Sequence, residues 1–309
     1  MTLVLTVHSR DCFWVLVDRR LSYGRQRPPR DDAIKAVALE TTDGVGVLAY
    51  AGLGATSSGT QPSDWMRSVL RGRGGLPFEQ TLSLLSEVAN RELPRHLLGL
   101  PGGGHFITIP AFVQGFGPRL YTIDNVVDPT TRQHRYRFTS QQRVAEPGSP
   151  SVRMALIGTG GVFLGAQNHG WQRALFSLVK AHDRGRVSPL FVADYLASLN
   201  NRAHLGVRDA TVGPRSIVIW RYRPKGRQVG SGGGGHQFYT GETRDEVVGP
   251  LPSISNGIDV QPILEVIMAE YQRVHADPTL GFPAAVHLDH EGMQRRLGEL
   301  PTDPNDGLA

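Results

Sequence analysis

The amino-acid sequence predicts an α+β fold in which two antiparallel sheets pack face to face and helices cover each outer face, a four-layer αββα sandwich. The order of the elements is the first observation behind it: four strands, two helices, four strands, two helices and one strand. Pairs of strands separated by pairs of helices do not fit the βαβ alternation of a doubly wound parallel sheet. The second observation is that hydrophobic residues make up 39% of the chain, enough to fill a core.

The first four strands are rich in β-branched and apolar residues and are bounded by turns. The turn Ser9-Arg10-Asp11 separates the first two strands, and Thr42-Asp43-Gly44 separates the last two. The polar segment between the two pairs contains Pro28-Pro29, which excludes a helix there. The strands are predicted at residues 2–8, 13–17, 33–39 and 45–51.

Hydrophobic residues at helical spacing predict helices in two later regions. Pro62-Ser63-Asp64 is typical of a helix start, and Pro77 opens the next helix. Helices are predicted at residues 62–70, 77–88, 163–182 and 188–204. Strands are predicted at residues 106–114, 119–124, 136–138, 152–157 and 216–222.

The character of the chain changes beyond Pro224. A glycine-rich run at residues 230–235 has no side chains to bury and predicts a flexible link. One amphipathic helix at about residues 259–275 follows. We therefore expect a main domain at residues 1–224 and a C-terminal extension at residues 225–309 that has no core of its own.

Composition narrows the possible functions. The formal charge is +5, but the basic residues do not gather on one helix face, so we expect no nucleic-acid partner. Cys12 is the only cysteine, and no signal segment or membrane-spanning run is present, so we expect a cytoplasmic protein without a disulfide or a membrane partner. The glycine-rich segments lack the lysine and hydroxyl residue of a phosphate-binding loop, and no zinc motif occurs, so we expect no cofactor and no metal.

An N-terminal threonine has an unusual chemistry, and Thr2 would become one after Met1 is removed. The α-amine, whose ordinary pKa is about 8, can accept the proton of the hydroxyl on the same residue. A lysine nearby would lower the pKa of that amine, and an aspartate would hold the lysine in place. Taken alone, Thr2 is a weak signal, because many proteins begin with Met-Thr, and the end of a strand is the better interpretation.

Two other residues lie where such chemistry would need them. Asp18 follows five apolar residues and ends the second strand. Lys35 interrupts the apolar third strand between Ile34 and Val37. By strand alternation, Lys35 points either to solvent or into a site.

Together, Thr2, Asp18-x-Arg20, Lys35 and Gly52-x-Gly54 resemble the pattern of proteasome β-subunits, which are N-terminal-nucleophile (Ntn) hydrolases. The resemblance implies that Thr2 is the nucleophile and that Asp18 and Lys35 support it. It also implies that the backbone N–H of Gly52 donates to the oxyanion, whereas Gly52 taken alone could be a turn residue. Lys35 and Gly52 lie slightly later than the family spacing, and the intervening loop and turn would absorb these offsets.

Three later segments extend the resemblance over residues 2–224. Residues 114–124 are similar to the family's central hairpin. Gly158-Thr159-Gly160-Gly161 is similar to a Gly-Ser-Gly turn, so Thr159 would supply a hydroxyl near the nucleophile. Asp209 matches an aspartate of the family, but Val212 stands where the family has serine. We expect Thr211 to supply the missing hydroxyl.

The resemblance implies a threonine-dependent hydrolase of amide or peptide bonds that forms a homo-oligomer, either a ring or a stacked assembly. Two alternatives stay open. One is an inactive proteasome-like scaffold or assembly subunit, which the Val212 departure mildly favours. The other is an Ntn amidase that acts on a small molecule instead of a peptide.

Overall fold

A computed structural model describes residues 2–21, 28–52, 61–96, 104–127, 134–141, 151–225, 233–246, 249–276 and 288–300. The strands within these ranges are β1 (Val4–His8), β2 (Cys12–Asp18), β3 (Ala36–Glu40), β4 (Gly44–Gly52), β5 (His105–Val113), β6 (Gly117–Val127), β7 (His134–Gln141), β8 (Arg153–Ile157), β9 (Arg215–Tyr222), β10 (Gly234–Thr240), β11 (Thr243–Arg244), β12 (Ser253–Ser255) and β13 (Ile258–Asp259). The helices are α1 (Pro62–Leu70), α2 (Phe78–Glu92), α3 (Gly158–Gly165), α4 (Gly170–Asp183), α5 (Pro189–Gly206), α6 (Gln261–Ala276) and α7 (His290–Gly298).

The strands form two sheets. The first sheet has the order β11-β10-β9-β2-β1-β8, and its neighbouring strands are all antiparallel. The second has the order β13-β12-β3-β4-β5-β6-β7, in which, among the described strands, only β12 and β3 run parallel. The protein is therefore a mixed α+β fold with two sheets, as the sequence predicts at this coarser level.

One apolar cluster contains residues from both sheets. Val4, Phe13 and Val17 of the first sheet belong to the same buried cluster as Val47 and Phe112 of the second. Alternate residues of a strand point to opposite faces of its sheet. The remaining apolar residues of these strands therefore lie on the outer faces of the two sheets. The two sheets face each other across this cluster. The start of β3 can thus approach the start of β1 and the end of β2.

Each sheet also packs against helices. Trp65 and Met66 of α1 and Phe78 of α2 share a buried cluster with the second sheet. Leu164 of α3 and Leu196 of α5 belong to a separate cluster with the first sheet. The apolar residues of α1 and α2 recur at helical spacing, so each of these two helices presents one apolar face to its sheet.

The segment expected to be one continuous helix at residues 163–182 is two helices. The first, α3, begins at Gly158, inside the Gly-Thr-Gly-Gly stretch that was expected to be a turn. The backbone N–H of Gly170 at the start of α4 donates to the side chain of Asn168. This bond satisfies one of the backbone N–H groups that the start of a helix leaves without an intrahelical partner.

The region after residue 224 contributes more than the linker and single helix expected from its composition. Strand β10 pairs with β9, and β12 pairs with β3, so this region extends both sheets. Gly234 and Gly235 belong to β10, whereas residues 230–232 of the glycine-rich run lie outside the described ranges. The expected helix is present as α6. The strands were missed because they are short and because glycine masks their alternation.

No helix in the described part of the chain is both long and apolar enough to cross a membrane.

Candidate active site at Thr2

Thr2 lies just before β1, and its side chain is completely buried. Its hydroxyl accepts a hydrogen bond from the ammonium of Lys35, with 2.9 Å between Nζ and Oγ1. Its backbone carbonyl accepts from the N–H of Gly160, at 3.3 Å. Thr2 is therefore held at both its side chain and its backbone.

Asp18 links Thr2's neighbour to Lys35. One carboxylate oxygen accepts from Lys35 Nζ at 3.1 Å and from the N–H of Leu3 at 3.0 Å. The other oxygen accepts from the N–H groups of Arg20, at 3.1 Å, and Gly213, at 3.4 Å. The antiparallel pairing of β1 with β2 places Asp18 opposite Leu3 and so beside Thr2.

The ion pair between Lys35 and Asp18 is buried, with side chains 3% and 0% exposed. Burial lowers the pKa of Lys35, while the negative charge of Asp18 and its hydrogen bond oppose that shift. The net pKa lies below the ordinary value, because the cost of desolvating the ammonium exceeds the gain from its partner. A lysine of this kind can release or share a proton more readily than one in water.

Lys35 is fixed at its backbone by neighbouring elements. Its carbonyl accepts from the N–H of Tyr50 in β4, at 2.8 Å. The N–H of Ile34 donates to the side chain of Gln61, at 2.7 Å, and Gln61 directly precedes α1. Lys35 therefore points into a buried site and not to solvent, which decides between the two orientations that strand alternation allowed.

Gly158 adopts a left-handed conformation, with φ of 82°, and lies against Thr2. A Cβ at this position would collide with the carbonyl of Thr2. Glycine is required here both for the backbone angle and for the close approach. This contact places the start of α3 next to the start of β1.

Thr159 and Asp209 belong to one hydrogen-bonded chain. The hydroxyls of Thr159 and Thr211 are 2.5 Å apart. The Thr211 hydroxyl also lies 2.7 Å from a carboxylate oxygen of Asp209, to which it donates. Because the Thr211 hydroxyl donates its proton to Asp209, it accepts the hydrogen bond from the Thr159 hydroxyl. Asp209 is exposed and forms the outer end of this chain, so it acts on the interior only through the two hydroxyls.

Val212, where a hydroxyl was expected from the resemblance, is a core residue. Its side chain is fully buried. A Cβ on Gly160 would collide with the side chains of Val212 and Leu3, so these three residues are closely packed. The neighbouring Thr211 does carry a hydroxyl, which bonds Thr159 and Asp209.

Gly52 ends β4 and pairs with His105 of β5. Its φ is 148°, and a Cβ there would collide with the carbonyl of Gly104. Close approach of two backbones therefore explains this glycine. Gly54, the other glycine of the sequence motif, lies outside the described residues.

Two residues with important contacts were missed by sequence reasoning. Asp31 forms a bidentate ion pair with Arg20, with N–O distances of 2.6 and 2.8 Å. Gln61 bonds the residue before Lys35. Neither side chain belongs to a recognisable motif, and Asp31 lies in a polar loop where charged residues are ordinary. Only the spatial arrangement identifies them.

Among the described residues, no group of three or more His, Cys, Asp or Glu side chains is arranged to hold a metal ion.

Comparisons with known proteins give structural neighbours only. No protein-family model matches the chain, and no curated protein matches it. A solved structure of an Anbu (Gly-1) mutant from Hyphomicrobium sp. strain MC1 is 12% identical, with coverage of 91% of this chain and 99% of that chain and a TM-score of 0.46. Anbu (ancestral beta-subunit) from Yersinia bercovieri is 14% identical, with coverage of 75% and 86% and a TM-score of 0.45. The helical assembly of the Anbu complex from Pseudomonas aeruginosa is 14% identical, with 99% coverage of both chains and a TM-score of 0.46.

These findings correct the family assignment suggested by the sequence motifs. The prediction that the chain belongs to the proteasome β-subunit-like Ntn hydrolases was wrong as an assignment, because no family model or curated protein matches. The neighbouring structures are Anbu proteins of low identity and low structural similarity. The chemistry of the site therefore has to follow from its own geometry.

Proposed function

We propose that this protein is a threonine-dependent hydrolase of amide bonds, with Thr2 as its nucleophile once Met1 has been removed. The observation that carries the proposal is the 2.9 Å contact between the Lys35 ammonium and the Thr2 hydroxyl. A buried lysine on a buried hydroxyl, held by a buried aspartate, is costly to maintain, and activation of a nucleophile is a chemical use for it.

In the proposed mechanism, removal of Met1 converts the backbone nitrogen of Thr2 from an amide into an amine. This amine accepts the hydroxyl proton as the oxygen attacks the substrate carbonyl. The positive charge on Lys35 stabilises the developing alkoxide and lowers the pKa of the amine. The proton then passes from the amine to the leaving nitrogen. An ester between Thr2 and the acyl group forms as the amide bond breaks, and water hydrolyses that ester.

The remaining residues have supporting roles in this scheme. Asp18 holds Lys35 and the backbone of Leu3, while the Thr159–Thr211–Asp209 chain orders hydroxyls beside the start of β1. The N–H of Gly52 is proposed as a donor to the tetrahedral oxyanion.

Access also depends on Met1 in this proposal. Thr2 is 0% exposed, yet a substrate carbonyl must come within about 3–3.5 Å of its hydroxyl. Met1 is bonded to the nitrogen of Thr2, so its removal would free the amine and open space beside it.

Several broader predictions accompany the proposal. The separate apolar clusters support a four-layer αββα order of the helices and sheets. We further propose that the protein forms homo-oligomers and is cytoplasmic. We also propose that its main domain comprises residues 1–224 and that residues 225–309 are an extension of it. Val162 and Leu205 are 76% and 77% exposed on α3 and α5, and a second copy of the chain would cover such apolar surface. Light scattering of the purified protein tests the assembly directly.

Intact-mass measurement with an electrophilic inhibitor tests the function. We expect the purified chain to have lost Met1 and to gain one β-lactone or epoxyketone adduct, which maps to Thr2. Thr2→Ala is the control and gains none. Retained Met1, or a processed and folded chain that takes no adduct, would reject the enzyme in favour of a non-catalytic scaffold. Peptide and small-amide substrates then separate the two enzymatic alternatives.

A further inference from the structure

The segment at residues 209–213 supplies the Thr211 hydroxyl, and its backbone is strained. Ala210 has φ of 50°, a left-handed conformation that residues other than glycine seldom adopt. Such a conformation persists only where neighbouring contacts hold it. From outside the segment, Arg20 and Asp31 supply such contacts, and within it the N–H of Thr211 donates to Asp209.

Arg20 contacts this segment directly. Its Nη1 donates to the carbonyl of Ala210 at 2.7 Å, the carbonyl of the strained residue itself. The side chain of Arg20 is only 11% exposed, so its guanidinium has little freedom to move away. The backbone N–H of Arg20 also donates to Asp18, which ties the same residue to the buried ion pair.

Asp31 fixes the guanidinium of Arg20. Two parallel hydrogen bonds join them, from Nε at 2.6 Å and from Nη2 at 2.8 Å. A bidentate pair of this kind defines the plane of the guanidinium as well as its position. The remaining nitrogen, Nη1, is thereby directed at Ala210.

Gly213 marks the other end of the same contact. A Cβ on Gly213 would collide with the Asp31 carboxylate and with Cβ of Arg20, so the segment lies directly on the ion pair. The N–H of Gly213 also donates to Asp18. The segment therefore contacts both the Arg20–Asp31 ion pair and the buried Asp18.

We propose that Arg20 and Asp31 are positioning residues that hold residues 209–213 in the strained conformation that presents the Thr211 hydroxyl to Thr159. We call Arg20 and Asp31, together with their bonds to each other and to Ala210, the clamp. The effect of the clamp on activity rests on the proposed function, whereas its effect on the conformation of residues 209–213 does not. Asp31 acts through Arg20, and neither residue touches the reacting atoms.

The test compares Asp31→Asn with Asp32→Asn. Asp32 is the next residue and pairs with Arg30 at an exposed position, so it is a matched control. We expect Asp31→Asn to speed hydrogen exchange of the backbone amides in residues 209–213. We also expect it to slow inhibitor labelling of Thr2 about tenfold, because it removes one charge-assisted hydrogen bond. Asp32→Asn should change neither. Arg20→Lys keeps the positive charge but cannot form two parallel hydrogen bonds with Asp31, so we expect it to have the same effects as Asp31→Asn. It replaces Asp31→Asn in the test if that variant does not fold.

A second substitution distinguishes positioning from a charge effect on Lys35. Glycine adopts the left-handed conformation without the side-chain cost, so Ala210→Gly added to Asp31→Asn should restore most of the labelling rate. Slow labelling without faster exchange, or without rescue by Ala210→Gly, would overturn the clamp. Unchanged exchange in Asp31→Asn would overturn it as well. Were the wild type not to label at all, the proposed function would fail, and hydrogen exchange would still decide the clamp.

Discussion

The ammonium of Lys35 and the hydroxyl of Thr2 are 2.9 Å apart, although 33 positions separate the two residues in the sequence. The two residues come from different sheets, since Thr2 precedes β1 and Lys35 precedes β3. Their contact therefore depends on how the sheets face each other. Its chemistry and the packing that creates it can be tested separately.

The first prediction concerns the amine of Thr2. A chain with extra residues kept ahead of Thr2 should take no inhibitor adduct, because an amide nitrogen cannot serve as the base. The same protein, after a protease trims it so that Thr2 comes first, should take one adduct per chain. Intact mass before and after trimming provides the measurement. Equal labelling of the extended chain would show that the amine is not required.

The second prediction concerns the asymmetry of the buried ion pair. Asp18→Ala leaves Lys35 buried without its partner and frees the backbone N–H groups of Leu3, Arg20 and Gly213. We therefore expect a loss of about 3–5 kcal/mol in the free energy of unfolding. Lys35→Met leaves Asp18 bonded to those N–H groups and should cost less. Both should abolish labelling of Thr2.

Urea unfolding measures these two losses. The control is Asp32→Ala, which removes an exposed ion pair and should cost at most about 1 kcal/mol. A greater loss for Lys35→Met than for Asp18→Ala would mean that the backbone donors do not stabilise the carboxylate as the distances indicate.

The third prediction concerns Gly158. Gly158→Ala forces a Cβ against the carbonyl of Thr2, so we expect it to displace Thr2 and to abolish labelling. Gly185→Ala is matched, because Gly185 has a similar φ of 69° but no atom within 4 Å of the place that a methyl group would occupy. That control should cost only the left-handed conformation, about 1–2 kcal/mol. Equal unfolding free energies for the two variants would contradict the proposed collision.

The fourth prediction concerns the pH dependence of stability. His8 is buried between Phe13 and Phe112, and neither ring nitrogen has a hydrogen-bond partner among the described residues. Burial lowers its pKa from 6.5 to about 3. Between these values the unfolded chain binds a proton that the folded protein does not, so stability falls as the pH drops from 6.5 towards 3. The fall amounts to at most about 1.4 kcal/mol per pH unit.

His8→Leu should remove the pH-dependent contribution of His8 to the free energy of unfolding. Any change in packing that the substitution brings does not depend on pH. Urea unfolding at about pH 7.5 and about pH 5, on either side of the ordinary histidine pKa, should therefore show a smaller acid-induced loss in the variant than in the wild type. His290→Leu replaces an exposed histidine and should leave the wild-type pH dependence in place. An unchanged loss in His8→Leu would show that His8 titrates normally.

The sequence reveals the residues of the site better than the contacts that hold them. Asp18 and Lys35 could be named because they match the motif of a family that the sequence resembles, whereas strand alternation alone left Lys35 facing either solvent or a site. Asp31 and Gln61 could not, because their contacts depend on the path of loops that follow no periodic pattern. Val212 looked like a missing hydroxyl, whereas the structure packs Val212 in the core and bonds the hydroxyl of the neighbouring Thr211 to Thr159.

The same distinction applies to the fold. Long amphipathic helices and alternating strands were predictable, since burial of one face imposes a period. The short strands β11 to β13 were not, because two to three residues define no period, and glycine hides the alternation in β10. The places of β10 and β12 in the sheets are set by pairing with β9 and β3.

The pairing of β12 with β3 has a consequence for how the protein is made. During translation the ribosome delivers Thr2, Asp18 and Lys35 early, but residues 253–255 emerge only near the end of the described chain. Until then the outer edge of β3 has no neighbour, and the strand that leads from Lys35 lacks its final support. Biosynthesis thus delays full assembly of this region until translation has passed residue 255.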